Sequence, residues 1–281
     1  MAIDSQVRQQ ASNPNTPPEQ LRELATCEDV TIRQLVAANP NTPTEVLWKL
    51  GKEFPAQLLE NPLLPLLFLE KLNLIDEIPE RTLLRLFELE TVPDYLQQGL
   101  LATRRHIREA IARNNNTFAS VLELLAQDPE RYVRRAIALN PNTPVHRLEL
   151  LAQDPDAEIR REIARNPSTP VHLLELLAQE PDAWFRQMLA ENPNLPVHLL
   201  ELLTQDSEVW VRQAIARHPS TPVHLLELLA QDSNKWVRLA IALNANAPLD
   251  ILKSLGSDRD RAIANQAQVE LNKRLLELAQ G

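Results

Sequence analysis

The chain has 281 residues, a net charge of −9 and a pI near 5.3. That acidic balance argues against a dedicated nucleic-acid or anionic-membrane binder, although a local basic patch can depart from the average. The single cysteine, Cys27, excludes an intrachain disulfide, a cysteine-based zinc site and a four-cysteine cluster, and the scarcity of glycine leaves no GxGxxG or GxxxxGKS/T phosphate loop.

The first residues, MAIDSQVRQQ, lack a basic region followed by an apolar run, so no signal peptide is expected. Residues 62–69 are the longest apolar stretch; they contain Pro65 and are too few to span a bilayer. A soluble cytoplasmic protein is expected. Residues 1–12 read as half a repeat capping the front of an array. Asn13-Pro14-Asn15-Thr16-Pro17 then leads to Leu21, Leu24, Ile32-Arg33 and Val36-Ala37, and Asn39-Pro40-Asn41-Thr42-Pro43 restarts the pattern 26 residues on. Residues 13–60 thus hold regular repeats, although the unit from Asn39 lasts only 22 residues. Residues 61–113 are irregular. They keep Pro65, Leu69 and Leu72, lose the motif over 79–90, and recover it at Ile107-Arg108-Glu109-Ala110-Ile111-Ala112-Arg113-Asn114. Residues 114–243 form five regular 26-residue repeats. A looser unit starts at 244, and 260–281 reads as an amphipathic capping helix carrying Ile263, Ala267, Leu271, Leu275 and Leu278. Ten units, starting at 13, 39, 61, 88, 114, 140, 166, 192, 218 and 244, make one array over 1–281. Self-similarity at a fixed period of this size is the mark of a solenoid.

Each unit reads as two short helices. In the unit from Asn166, Thr169 is placed to cap the first helix and Pro170 to open it. Leu173, Leu174, Leu176 and Leu177 supply its apolar face. The helix should end near Gln179, and Glu180-Pro181 should start the second, as should Asp128-Pro129, Asp154-Pro155, Asp206-Ser207 and Asp232-Ser233 in sister units. Phe185 and Leu189 face inward. Asn192, preceding Pro193, should stop the helix and take over the left-handed role of the missing glycines. Helices this short are marginal alone, so stability must come from stacking on neighbours.

The repeated motif VRxAIAxNPxTPxxLLELLAxD, as in residues 211–232 (VRQAIARHPSTPVHLLELLAQD), resembles the leucine-rich repeat variant family over nearly the whole chain outside 73–104. The resemblance implies an all-α, right-handed α-solenoid of about ten 22–27-residue two-helix repeats, the second helix partly 3-10. One member type carries an N-terminal iron–sulfur domain. With Cys27 alone, no such cofactor carries over, and none is expected. The second half of each unit is also similar to HEAT-type repeats, in which an Asp lies six residues before an Arg. The pairs here are Asp128/Arg134, Asp154/Arg160, Glu180/Arg186, Asp206/Arg212 and Asp232/Arg238. HEAT-like arrays serve as protein scaffolds, as occasional DNA-binding surfaces and as modules of bilin lyases.

Several positions recur as ladders. Arg134, Arg160, Arg186, Arg212 and Arg238 would make a phosphate track, but an acid at a constant offset favours a structural pair, within or between repeats. His146, His172, His198 and His224 occur once per unit. Neighbouring helices lie about 8–10 Å apart, too far for such side chains to converge on one metal ion, so no metal site is expected. Tyr132, Trp184, Trp210 and Trp236 share an offset, interrupted by Glu158, and stand beside the core positions Val133, Phe185, Val211 and Val237. They either shield the core edge between repeats or form a row of exposed interface anchors. With Arg135 and Arg161 they are the candidate partner-binding residues. Arg104, Arg105, Arg108, Arg113, Arg131, Arg134 and Arg135 crowd the middle of the chain, relieved by Glu109, Glu123 and Glu130. No catalytic constellation stands out from the repeats. The expected function is therefore a non-enzymatic protein-interaction scaffold. The alternatives are a nucleic-acid binder using the 104–135 stripe and a HEAT-like lyase or enzyme subunit.

Overall fold

The computed structural model describes residues 2–71 and 73–280; Leu72 lies outside the described residues. These are helical throughout, without a strand. Two-helix repeats stack on one another in the α-solenoid manner within each of two compact units, residues 1–147 and 148–281, whose boundary falls inside the helix Val145–Leu151.

In the second unit, the first helices of successive repeats are Val171–Leu177, Val197–Thr204 and Val223–Leu229. The second helices are Ala157–Arg165, Ala183–Ala190, Val209–Arg217 and Lys235–Ala242. Both kinds are α-helical. The one 3-10 helix among the described residues, Leu74–Glu77, lies in the irregular stretch. Leu173, Leu174 and Leu177 are buried, and Phe185 and Leu189 meet them from the second helix. Leu176 does not join them: it is 58% exposed, as Leu202 and Leu228 nearly are. At 100° per residue it stands about 110° from the centre of the 173/174/177 face, beyond the reach of the core.

The punctuation of the repeat works differently from the sequence expectation. Pro170, Pro196 and Pro222 are themselves the N-caps, with extended backbone and no side-chain cap, so the helices start one residue later. Thr169 points backwards instead. Its hydroxyl donates to the Ile163 carbonyl at 2.6 Å, as Thr42 does to Val36, Thr117 to Ile111, Thr143 to Ile137 and Thr221 to Ile215. Each of these carbonyls, near the end of the preceding helix, also accepts the amide three residues on, so the hydroxyl supplies it with a second donor. The second helix begins not at Glu180-Pro181 but at Ala183. Asp182 caps it, accepting from the Trp184 amide at 2.9 Å.

The asparagines stay in the extended region, and no described residue has a positive φ. Their conservation of position inside the chain has another cause. Asn192, fully buried, donates from Nδ2 to the Ala164 and Asn166 carbonyls of the preceding repeat, both at 2.8 Å, while Oδ1 accepts from the Asn194 amide at 2.9 Å. Asn39, Asn61, Asn140 and Asn244 repeat this clamp on their own predecessors. An amide carries both donors and an acceptor, which no glycine could supply.

The first unit opens with the helix Ala2–Ser12, whose Ala11 packs into a cluster with Leu21, Ile32, Val36, Val46, Leu50 and Phe54. The period slips where Thr44–Gly51 is followed almost at once by Pro55–Glu60. Gly51 makes this possible: a Cβ there would collide with the Leu58 and Thr82 side chains. The helices Leu63–Glu70, Glu80–Leu86 and Asp94–Ala102 fill the irregular stretch around Leu64, Leu83, Leu86 and Phe87. At the other end, Arg261–Gln280 covers the last repeat with Ile263, Ala267 and Leu271. Leu275 and Leu278 run past it and stand exposed, so the apolar stripe caps only through its first half.

Candidate interaction surface

The Arg ladder spans repeats. Arg186, Arg212 and Arg238 each place Nε and Nη2 on the carboxylate twenty residues ahead, in the next repeat: Asp206, Asp232 and Asp258, with the Nε bonds at 2.6–2.7 Å. Nη1 of each turns back to the main-chain carbonyl six residues behind, at Glu180, Asp206 and Asp232. In the first unit Arg108 grips Asp128 in the same bidentate way, and Arg134 reaches the Asp128 carbonyl. In the second unit Arg160 reaches the Asp154 carbonyl. The acid six residues before each Arg therefore offers that Arg its main chain, and the side chains of Asp128, Asp154, Asp206 and Asp232 accept from the amide two residues on. The Arg186, Arg212 and Arg238 guanidinia are held protonated above their ordinary value by the carboxylates they grip, and Arg238 holds the Asp258 carboxyl below its own.

The His ladder is exposed. His146, His172, His198 and His224 each meet a glutamate of the preceding first helix, at 2.8, 3.1, 3.0 and 3.6 Å. Among the described residues, no three His, Cys, Asp or Glu groups gather as metal ligands.

The aromatic positions lie at the surface of the second helices. Tyr132 is 40% exposed, Trp184 60%, Trp210 44% and Trp236 52%, whereas Trp48 is buried. Core residues beside them take the interior, and a ring one position earlier, at about 100° around the helix, has no room there. Trp184 and Trp210 stack with centroids 6.5 Å apart. Phe185, by contrast, is core and lies beneath Arg160 and Arg161. Arg161 bridges Glu158 and Asp182, at 2.5 and 2.8 Å, so its charge is largely spent inside the molecule. Arg135 is exposed and borders a hollow of about 380 Å³ with Arg113 and Leu139 in the first unit. There Arg105 and Arg131 sit over the Tyr132 ring at 4.8 and 4.9 Å. Arg108 is buried in its pair, and Arg113 is paired with Glu109 at 2.7 Å, which thins the basic stripe.

Two features escaped the sequence reading. One is a hollow of about 270 Å³ lined by Gln187, Glu191, Trp210, Gln213, Ala214 and Arg217 among others; the signal was the recurrence of Gln three residues after Trp. The other is a larger hollow, about 540 Å³, beside Lys52, Arg81, Leu84 and Arg85 where the period slips.

Family models agree with this architecture. A Leucine Rich Repeat Variant domain matches residues 5–52, and a Leucine rich repeat variant matches residues 131–156 and 209–234. These three segments are similar to the leucine-rich repeat variant family. A solved leucine-rich repeat variant with a repetitive structural motif is 22% identical over 68% of this chain and 86% of its own, with a TM-score of 0.43. The crystal structure of an engineered protein is 14% identical over 95% of this chain and 94% of its own, with a TM-score of 0.27. No curated protein matches. No helix among the described residues is long and apolar enough to cross a membrane.

Proposed function

We propose that the chain is a non-enzymatic protein-binding scaffold, and that the second-helix row of residues 148–281 is where a partner protein docks. Trp184, Trp210 and Trp236 are its anchors. The observation that carries this reading is their exposure, 44–60%, at one offset in three consecutive repeats. A large aromatic left in water forgoes burial worth about 1.5–3 kcal/mol, and clustered exposed tryptophans are favoured as binding anchors. Tyr132 stands at the same offset in the first unit, with Arg135 beside it. The Asp–Arg and Asn ladders hold the repeats in register and are not part of the docking face.

The test is capture of partners by the immobilised full chain, wild type against Trp210→Ala/Trp236→Ala, with melting followed by circular dichroism. Loss of capture with melting near wild type supports the reading. Capture unchanged, or melting sharply lowered, contradicts it. The basic stripe would matter instead if the chain retarded DNA or RNA in a salt-sensitive way; absence of retardation at low salt disposes of that alternative.

A further inference from the structure

We infer that the tryptophan row takes a single extended segment of its partner, with apolar side chains at alternate positions, main chain held by Gln187 and Gln213, and an acidic group on Arg217. This rests on the docking reading above and adds the conformation and chemistry of the occupant.

Gln187 and Gln213 sit three residues after Trp184 and Trp210, one helical turn along the same face. Both are half-buried, and among the described residues neither side-chain amide has a hydrogen-bond partner. They face the 270 Å³ hollow beside Trp210. A primary amide offers a donor and an acceptor side by side, which matches the N–H and C=O of one residue of an extended chain. A helical occupant has already spent those groups internally.

The spacing points the same way. The Trp184 and Trp210 centroids are 6.5 Å apart. An extended chain advances about 6.4–6.8 Å per two residues, so two side chains that share a face match the separation of this ring pair. A helix presents its face at a pitch of about 5.4 Å, short of that separation.

Charge supplies the remaining element. Arg217 borders the hollow seven residues after Trp210, and among the described residues it makes no ion pair. Glu191, at the same offset one repeat earlier, is held by Arg165 at 3.0 Å. The rim therefore carries one uncompensated positive charge, complementary to a carboxylate of the segment. One repeat further on, the corresponding positions are Leu239 and the exposed Leu243 beside Trp236. The clamp on the main chain thus spans two repeats, and the segment is apolar beyond it.

Random 12-residue peptides displayed on phage, selected on the full chain, provide the probe; the strongest binder is then labelled and measured by fluorescence anisotropy. The expected binder alternates apolar and polar residues and includes Asp or Glu. Gln187→Leu/Gln213→Leu, which keeps the side-chain shape, should weaken it about tenfold or more, as should N-methylation of the peptide main chain. Arg217→Ala should abolish the preference for the acidic residue. Binders with apolar residues at i, i+3 and i+4, or binding lost in Trp210→Ala/Trp236→Ala but unchanged in the Gln double variant, would overturn the extended segment while leaving the docking face in place. A library that yields no Trp-dependent binder overturns the inference too, and the capture assay above then judges the docking face separately. Melting of each variant near wild type establishes that the fold is intact.

Discussion

Replacing Asn192 by alanine isolates the clamp that joins one repeat to the next. Its side chain makes three hydrogen bonds, two to the carbonyls of Ala164 and Asn166 and one from the Asn194 amide. At a net value of about 1 kcal/mol each these contribute about 3 kcal/mol, and stranding buried partners raises the cost of truncation. A loss of about 3–5 kcal/mol is expected, read as a lower urea midpoint by far-ultraviolet circular dichroism at pH 7. The chain carries its own control. His218 takes the same offset, and its Nε2 makes one bond to the preceding repeat, to the Asn192 carbonyl at 2.7 Å. His218→Asn should add a second and stabilise by about 0.5–1.5 kcal/mol. If Asn192→Ala costs less than about 1 kcal/mol, the asparagines are not what holds the repeats together.

Three further outcomes follow from the same geometry. Arg238→Met leaves the buried Asp258 carboxylate without its partner and should cost about 3–5 kcal/mol in urea unfolding; a loss within error would demote the ladder to decoration. Because Arg238 holds the Asp258 carboxyl below its ordinary value, the pair stabilises fully above about pH 5 and fades as pH falls through the folded value. Asp258→Asn should therefore flatten the acid limb of the stability profile, and an unchanged limb would contradict the assignment. Gly51→Ala should destabilise by about 1–3 kcal/mol, since Leu58 and Thr82 must move to admit the methyl group; a melt at the wild-type temperature would count against the tight approach there.

The period made the two-helix repeat and its core legible, because burial forces leucines onto one face at helical spacing. What it did not reveal was direction. Asn-Pro and Thr-Pro look like punctuation for the helix that follows, yet Thr169 bonds to the helix before it and Asn192 to the repeat before that. The Asp–Arg spacing of six residues is visible in the sequence, while the pair that forms spans twenty. These are contacts between stacked units, and a one-dimensional pattern records an offset without recording which neighbour it serves. Leu176 resembles a core residue for the same reason: a run of leucines does not say where the face ends. The tryptophan row was legible as a row, but its exposure was not, since an offset beside the core suits a shield as well as an anchor. The unpartnered Gln187 and Gln213 emerge only when the helices are placed side by side.

The most direct test of the account is partner capture by Trp210→Ala/Trp236→Ala, measured together with its melting curve. Each ring is about half exposed, so the double variant should melt within a few degrees of wild type while capture falls steeply. A steep fall in melting temperature, or capture that survives the loss of both rings, would contradict the claim that this row is the working face of the array.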